Sequence, residues 1–191
     1  DKIRLGVAVL LYLCATSWAD AKVKLPALIS DGMVLQREQS VKVWGTADAG
    51  ENITIEFQKK SYHATADANG QWSITLPPLK AGGPFLMQIN DIKLNDILVG
   101  DVWLCSGQSN MELPVKRVMD MFSNEILNYN NEKIRHILIP RKYNFHATSR
   151  GDVRNKLEDA NAKKCDGILR SCLFFAKEMY ERPGIPVDSS I

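Results

Sequence analysis

GDVWLCSGQSNM, residues 100–111, is the stretch that decides the fold, because it predicts a buried strand, a tight turn and a helix in succession. Val102–Cys105 is a short apolar run of the kind found in the covered strands of parallel sheets. Gly107 can adopt the backbone angles that a sharp turn needs. The pattern therefore places Ser109 where the turn passes into the helix, which is a suitable position for a nucleophilic serine.

The helix predicted after Ser109 offers hydrogen-bond donors at its start. Glu112 follows Ser109 at the spacing of a capping box. The first amides of a helix have no partner within it, so the main-chain amides of Ser109 and Asn110 could stabilise an oxyanion. A serine here is also an ordinary helix cap, and the local pattern alone favours that structural interpretation. Met111 replaces the second glycine of the Gly-x-Ser-x-Gly elbow, which disfavours the α/β-hydrolases.

Residues 22–99 predict an antiparallel β-sandwich-like domain that supports the rest of the chain. Turn signals rich in Gly, Pro, Asn and Asp separate runs of alternating apolar and polar residues, at the spacing of a sandwich. The candidate strands are residues 41–44, 53–57, 72–76, 85–89 and 92–99.

Two tryptophans lie on these candidate strands. Trp44 and Trp72 could stack on a sugar, but aromatic residues on alternating strands are more often core residues. We therefore expect both side chains in the core.

From residue 100 to residue 191 the pattern changes to alternating helix and strand. One helix face is predicted by Val115, Val118, Met119, Phe122 and Ile126, and a second by Leu169, Cys172, Leu173, Ala176 and Tyr180. A strand is expected over residues 134–139, and another is expected to begin at residues 185–187, after Pro183 and Gly184 end the second helix. This is the beginning of a doubly wound parallel sheet, in which ligands lie beyond the carboxyl ends of the strands. Residues 141–166 show weak periodicity and predict a long surface loop.

The first residues predict an export signal, which we assign to residues 1–21. Lys2 and Arg4 precede an apolar run that is too short to span a bilayer, and small residues follow it at the spacing of a peptidase site. The protein is therefore expected to be secreted or periplasmic. With 24 basic and 22 acidic residues scattered along the chain, the net charge of +2 does not suggest a nucleic-acid partner.

After the predicted signal the chain has three cysteines, Cys105, Cys165 and Cys172. Cys105 is expected to pack in the strand that leads to Ser109. A Cys165–Cys172 bridge is conceivable, but two unpaired thiols are the simpler interpretation. No Cys-x-x-Cys metal pattern occurs, so we expect neither a metal nor another cofactor.

SGQSNM, residues 106–111, closely resembles the first signature block of the sialate O-acetylesterase family, a branch of the SGNH hydrolases, and matches it at all six positions. The similarity covers most of the chain after about residue 22 and concerns the N-terminal part of the family's proteins. Softer likenesses are LPALISDGMVLQ at residues 25–36, VWG at 43–45, DANGQW at 67–72, and the stretches 134–141 and 174–180.

The resemblance implies an accessory β domain over residues 22–99 and a partial SGNH-hydrolase, flavodoxin-like domain over residues 100–191. It also implies a secreted carbohydrate esterase in which Ser109 is the nucleophile and an O-acetylated sialic acid is the substrate. An acetylated xylan or another acetylated glycan would need only a different rim on the same site. A noncatalytic carbohydrate-binding or scaffold protein is the alternative, and the sequence does not indicate an oligomeric state.

The general base is not identified in this chain. The three histidines are His63 in the β region, His136 within a predicted strand and His146 in the predicted loop. None lies in the Asp-x-x-His motif that supplies the base in SGNH hydrolases, and a serine hydroxyl needs such a base at neutral pH. We therefore expect the chain by itself to be an incomplete, inactive fragment of an esterase that has its Asp and His further along.

Overall fold

The computed structural model describes residues 23–107, 115–118, 120–122, 129–137, 157–161 and 170–190. The predicted export signal at residues 1–21 lies outside these ranges, as does His146 in the predicted loop. The described part of the chain consists mostly of β-strands. The strands are β1 (Val34–Gln36), β2 (Val41–Thr46), β3 (Asn52–Phe57), β4 (Lys60–Thr65), β5 (Gln71–Leu76), β6 (Gly82–Ile89), β7 (Ile92–Leu104), β8 (Asn130–Ile137), β9 (Leu157–Asn161) and β10 (Val187–Ser190).

The first core lies between a large sheet and a smaller one. The large sheet has the order β4-β3-β6-β7-β10-β8-β9, with β1 also paired to β7, and the smaller sheet is the β2–β5 pair. Alternate residues of β3 and β5 are buried because apolar side chains occupy every second position. The buried side chains from the two sheets form one cluster that includes Ile53, Ile55, Phe57, Met87, Ile89, Val43, Trp72, Ile74 and Leu76. The strands expected at residues 41–44, 53–57, 72–76 and 85–89 are confirmed within longer elements.

Strand β7 runs through the position where we expected one unit to end and another to begin. It extends without interruption from Ile92 to Leu104. Its first part pairs antiparallel with β6 and parallel with β1, and its last part pairs parallel with β10. The expectation that residues 22–99 form a purely antiparallel domain is therefore wrong, because β1 and β7 pair in parallel and β7 continues into the sheet that holds β10 and β8. The change in sequence pattern at residue 100 marks a change of neighbouring strands, and the division into domains at that point stays a prediction.

The second core lies where one helix packs on the parallel strands. Helix α1 (Arg170–Glu181) buries Cys172, Leu173 and Ala176, as the predicted helix face requires. Leu173 and Ala176 join Val115, Ile134 and Val187 in a buried cluster. The helix ends as expected, with Gly184 at a φ of 65° and its amide donating to the Tyr180 carbonyl at 2.8 Å. The strand expected to begin at residues 185–187 is confirmed as β10.

The other α/β predictions are met in part. Val115–Val118 form a 3-10 turn and residues 120–122 are helical, while the rest of that predicted helix lies outside the described residues. Strand β8 begins four residues before the predicted residue 134. The interpretation of residues 141–166 as loop is wrong at Leu157–Asn161, which pairs antiparallel with β8 as β9. Within the described ranges no helix has the length and apolar character needed to cross a membrane.

The exposure of the end of β7 differs from the expectation of a covered strand. Val102, Trp103 and Leu104 are 37%, 42% and 73% exposed. Helix α1 contacts this segment where the Trp103 and Phe175 rings meet edge to face with centroids 5.1 Å apart. An apolar run therefore identified the strand correctly but not its coverage in this chain.

Gly100 is expected to be intolerant of a side chain. A Cβ built on it would lie 2.0 Å from the Pro186 carbonyl oxygen, which accepts a hydrogen bond from the Asp101 amide at 2.9 Å. Gly100→Ala must therefore push β10 away from β7 and should lower the free energy of unfolding by about 2 kcal/mol, measured by urea denaturation. Gly50→Ala serves as the comparison for backbone strain without a clash, since its Cβ meets nothing within 4 Å but its φ of +82° should itself cost about 1 kcal/mol. Equal stability of Gly100→Ala and the unsubstituted protein would contradict the prediction.

Candidate active site

The carboxyl ends of three parallel strands meet at one edge of the large sheet. Asp101–Leu104 of β7 pairs in register with Val187–Ser190 of β10. Val187 and Asp188 pair in turn with Ile134 and Arg135 of β8. In open α/β sheets ligands bind beyond this edge, so it is the candidate site of the described structure.

The segment that carries the predicted nucleophile leaves from this edge. After Leu104 the chain continues through Cys105, Ser106 and Gly107 without regular secondary structure. Ser109 and Asn110 lie outside the described residues, and so does the start of the helix that was expected to follow them. Their placement on a turn and the oxyanion role of their amides stay predictions.

Two side chains from the end of β1 hold β7 just before the edge. The Gln36 side-chain oxygen accepts a hydrogen bond from the Val102 amide at 2.9 Å. Arg37 binds the Asp101 carboxylate through two nitrogens, with Nε to Oδ1 at 2.8 Å and Nη2 to Oδ2 at 3.3 Å. The hydrogen bond to Asp101 raises the pKa of Arg37, so the guanidinium keeps its charge. These contacts fix where β7 enters the candidate site.

Asp188 is a buried acidic residue near the edge that sequence reasoning did not single out. It is 4% exposed and pairs in register with Val102. Together with Val102, Ile137 and Trp44 it lines a pocket of about 200 Å³ between the parallel strands and β2. The available signal was an acidic residue directly after the apolar run 185–187. The Cys105 thiol lies at the same end of the sheet. A hydrogen bond with Cys172 lowers the pKa of Cys105, and the negative charge of Asp188 opposes that shift.

The histidines lie at separate places in the fold. His63 is exposed on β4, where its Nδ1 lies 3.1 Å from the Thr54 hydroxyl. His136 is 3% exposed within β8. His146 falls outside the described residues. No general base is assigned to any of them.

Two thiols come together beside the candidate edge. Cys105 is half-buried and Cys172 on α1 is buried, and neither is in a disulfide. The Cys172 thiol hydrogen-bonds to the Cys105 sulfur, which lowers the pKa of Cys105 and raises that of Cys172. Cys165, the partner that the sequence suggested for Cys172, lies outside the described residues.

Arg135 links the candidate edge to the β region and was also missed. Its side chain is 2% exposed, and Nη1 donates to the Gly32 carbonyl at 2.5 Å and to the Asp96 carbonyl at 2.6 Å. Nη2 binds the Asp96 carboxylate at 2.8 Å. These partners are far from Arg135 in sequence, so the only local signal was a charge inside an apolar strand.

Trp44 differs from its expected place, whereas Trp72 is confirmed as a core residue. Trp72 is 4% exposed, but Trp44 is 39% exposed. The side chain of Trp44 shares the outer face of β2 with Lys42, because Val43 between them points into the core. Trp44 also borders a shallow groove of about 420 Å³ with Lys42, Asp67, Gln71 and Ser73.

Within the parts of the chain that the structure describes, no group of three His, Cys, Asp or Glu side chains could hold a metal ion.

Known acetylesterases resemble this chain in sequence and in structure. It is 33% identical over 131 residues to sialate O-acetylesterase of Homo sapiens, covering 61% of this chain and 25% of that protein. For the Mus musculus protein of the same name the identity is 30% over 130 residues, covering 60% and 24%. A carbohydrate acetylesterase from Xanthomonas citri has a similar crystal structure, with a TM-score of 0.82, 32% identity, and coverage of 88% of this chain and 40% of that one. The chain spans about a quarter of the length of the curated relatives it matches, and no protein-family model matches it.

Proposed function

Because the chain matches the sialate O-acetylesterase family over about a quarter of those proteins' length, we propose that it belongs to a carbohydrate O-acetylesterase. The proposed reaction removes O-acetyl groups from sialic acids, in a secreted or periplasmic setting. One observation carries the proposal: SGQSNM at residues 106–111 begins two residues after β7 ends at the candidate edge. A nucleophile in that motif would meet its substrate where parallel sheets usually bind ligands.

The proposed mechanism is acyl transfer through Ser109. Its hydroxyl oxygen attacks the acetyl carbonyl, and the main-chain amides of Ser109 and Asn110 donate to the oxyanion that forms. The sugar hydroxyl leaves with a proton, and water then releases acetate from the acetyl-serine. The attack by Ser109 needs a base to take the hydroxyl proton, and residues 1–191 contain no Asp-x-x-His motif. We accordingly propose the activity for the full reading frame that includes these residues, and expect residues 1–191 alone to act feebly.

The substrate assignment is tested by acetate release from matched glycans. The protein from the full reading frame is incubated with O-acetylated sialic acid and, separately, with acetylxylan at equal acetyl concentration. The quantity to compare is kcat/KM, because it measures discrimination between substrates. We expect the higher value for the sialic acid. A preference for acetylxylan would replace the sialic-acid proposal with plant-glycan deacetylation, and no release from either would contradict the esterase proposal.

A noncatalytic role in glycan binding is the second candidate, and exposed Trp44 favours it. Its ring borders the groove beside Asp67, Gln71 and Ser73, so a sugar could stack on the indole and hydrogen-bond to the polar side chains. This role would use the β region, whereas hydrolysis would use the edge near residue 109.

Trp44→Ala is expected to weaken glycan binding about tenfold, because loss of one stacked aromatic ring costs roughly 1.4 kcal/mol. Calorimetry with an acetylated oligosaccharide measures the change, in a Ser109→Ala background so that the ligand is not consumed. Leu86→Ala is the matched control, since Leu86 is 52% exposed on β6 of the same region and lies outside the groove. Equal affinities of the two variants would exclude the groove as a glycan site.

A further inference from the structure

Strand β7 and helix α1 approach each other through a pair of side chains on each element. The Trp103 and Phe175 rings meet edge to face with centroids 5.1 Å apart. Cys105 follows Trp103 by two residues and lies directly after the end of β7. Cys172 precedes Phe175 by three residues, which places both on one face of α1. The two cysteines therefore lie on either side of the same strand–helix contact, and their side chains hydrogen-bond to each other.

The two thiols differ in their exposure to solvent and in the direction in which their pKa values are shifted. Cys105 is half-buried after the end of β7, whereas Cys172 is 1% exposed on α1. Their hydrogen bond lowers the pKa of Cys105, so Cys105 loses its proton more readily than an ordinary cysteine. Cys105 is therefore the thiol that an external disulfide reaches first, and Cys172 is positioned to attack it afterwards.

We propose that Cys105 and Cys172 form a reversible disulfide that ties the strand before the Ser109 segment to helix α1. The export signal predicted at residues 1–21 would deliver the chain to an oxidising compartment, where such bonds persist. The cross-link would join residues 67 positions apart in sequence and hold the Cys105–Gly107 segment against the helix. The cross-link does not depend on the proposed hydrolysis.

The oxidant is a small-molecule disulfide such as oxidised glutathione. The Cys105 thiolate attacks one glutathione sulfur, forming a mixed disulfide and releasing one glutathione thiolate, which takes up a proton. Cys172 then loses its proton and attacks the Cys105 sulfur, breaking the mixed disulfide and releasing the second glutathione. Two cysteine thiols are oxidised to one disulfide, and one glutathione disulfide is reduced to two thiols.

Trypsin separates the three cysteines that follow the predicted signal into three peptides, because Lys93, Lys116, Lys164, Arg170 and Lys177 provide the cleavage points. Cys105 falls in residues 94–116, Cys165 in residues 165–170 and Cys172 in residues 171–177. The purified protein is equilibrated with oxidised glutathione, its remaining thiols are alkylated, and it is digested without reduction. Mass spectrometry then identifies which peptides are linked.

We expect a linked pair of peptides 94–116 and 171–177, and a loss of two free thiols per chain. The pair should disappear after dithiothreitol and in Cys172→Ser, while Cys165→Ser, the matched control, should keep it. A link between peptides 165–170 and 171–177 would overturn the proposal in favour of the bridge between neighbours in sequence. Unlinked peptide 94–116, or a link found only in dimers on a non-reducing gel, would also overturn it.

Discussion

Ser109→Ala is expected to lower the turnover of acetyl esters by a factor on the order of 10³ to 10⁶ in the protein from the full reading frame. The substitution removes the only group proposed to form the acetyl-enzyme, so oxyanion stabilisation and substrate binding alone remain. The fold should be unaffected, because a serine replaced by alanine on a loop or cap costs about 1 kcal/mol. Acetate release under saturating substrate measures the effect, and circular dichroism checks the fold.

Ser106→Ala is the matched control for this prediction. Ser106 is an exposed serine in the same motif, three residues before Ser109. It should keep most of the activity, because it is assigned neither the nucleophilic nor the oxyanion role. Equal losses in the two variants would mean that the motif has a structural role, and an active Ser109→Ala variant would contradict the proposed nucleophile.

The strands of the β region could be predicted wherever one face of the strand is apolar and the other is polar. In β3 and β5 every second side chain is apolar and buried, so alternation identified the elements and their inward faces. Strand β4 was missed because Lys60–Thr65 is mostly polar and lies at the edge of the sheet. Its inward side chains, Tyr62 and Ala64, are only partly buried against the core, so the alternation that identifies a strand is weak there.

Trp44 was wrongly predicted to lie in the core because its residue type was given more weight than its position in the alternating pattern of β2. Val41, Val43 and Gly45 occupy the inward positions of β2, so the same alternation that predicted the strand places Trp44 outward with Lys42. The larger errors concern contacts between distant parts of the chain. Neither the continuity of β7 into the parallel strands nor the meeting of Cys105 with Cys172 has a local signature.

The candidate site was predictable in its position but not in its supports. The apolar run before residue 105 and the strand beginning near residue 187 were sufficient to predict parallel strands ending at a common edge. The Arg37–Asp101 pair and the Arg135 contacts join residues 64 and up to 103 positions apart. Such pairings depend on the register of the sheet, and a single sequence does not specify that register before the strands are paired.

Arg135→Ala should cause the largest loss of stability among the substitutions considered, about 3 kcal/mol in the free energy of unfolding. The guanidinium supplies the donors that bind the Gly32 and Asp96 carbonyls, at 2.5 and 2.6 Å, and alanine leaves these carbonyls without them. The bond to the Asp96 carboxylate contributes less, because that side chain is 55% exposed and solvent screens the pair. Urea denaturation followed by tryptophan fluorescence measures the loss.

Two variants serve as controls. One removes the charge of Asp96 but keeps its carbonyl, and the other removes an exposed arginine on the helix surface. Asp96→Asn keeps the backbone carbonyl and a similar side-chain shape but removes the negative charge, so it should cost less than about 1 kcal/mol. Arg182→Ala removes an arginine that is 79% exposed and paired with Glu178 on the helix surface, and should cost roughly 0.3–0.5 kcal/mol. If Asp96→Asn were as destabilising as Arg135→Ala, the ion pair would be the main contribution. If Arg135→Ala were no worse than Arg182→Ala, Arg135 would not be what holds the parallel strands to the β region.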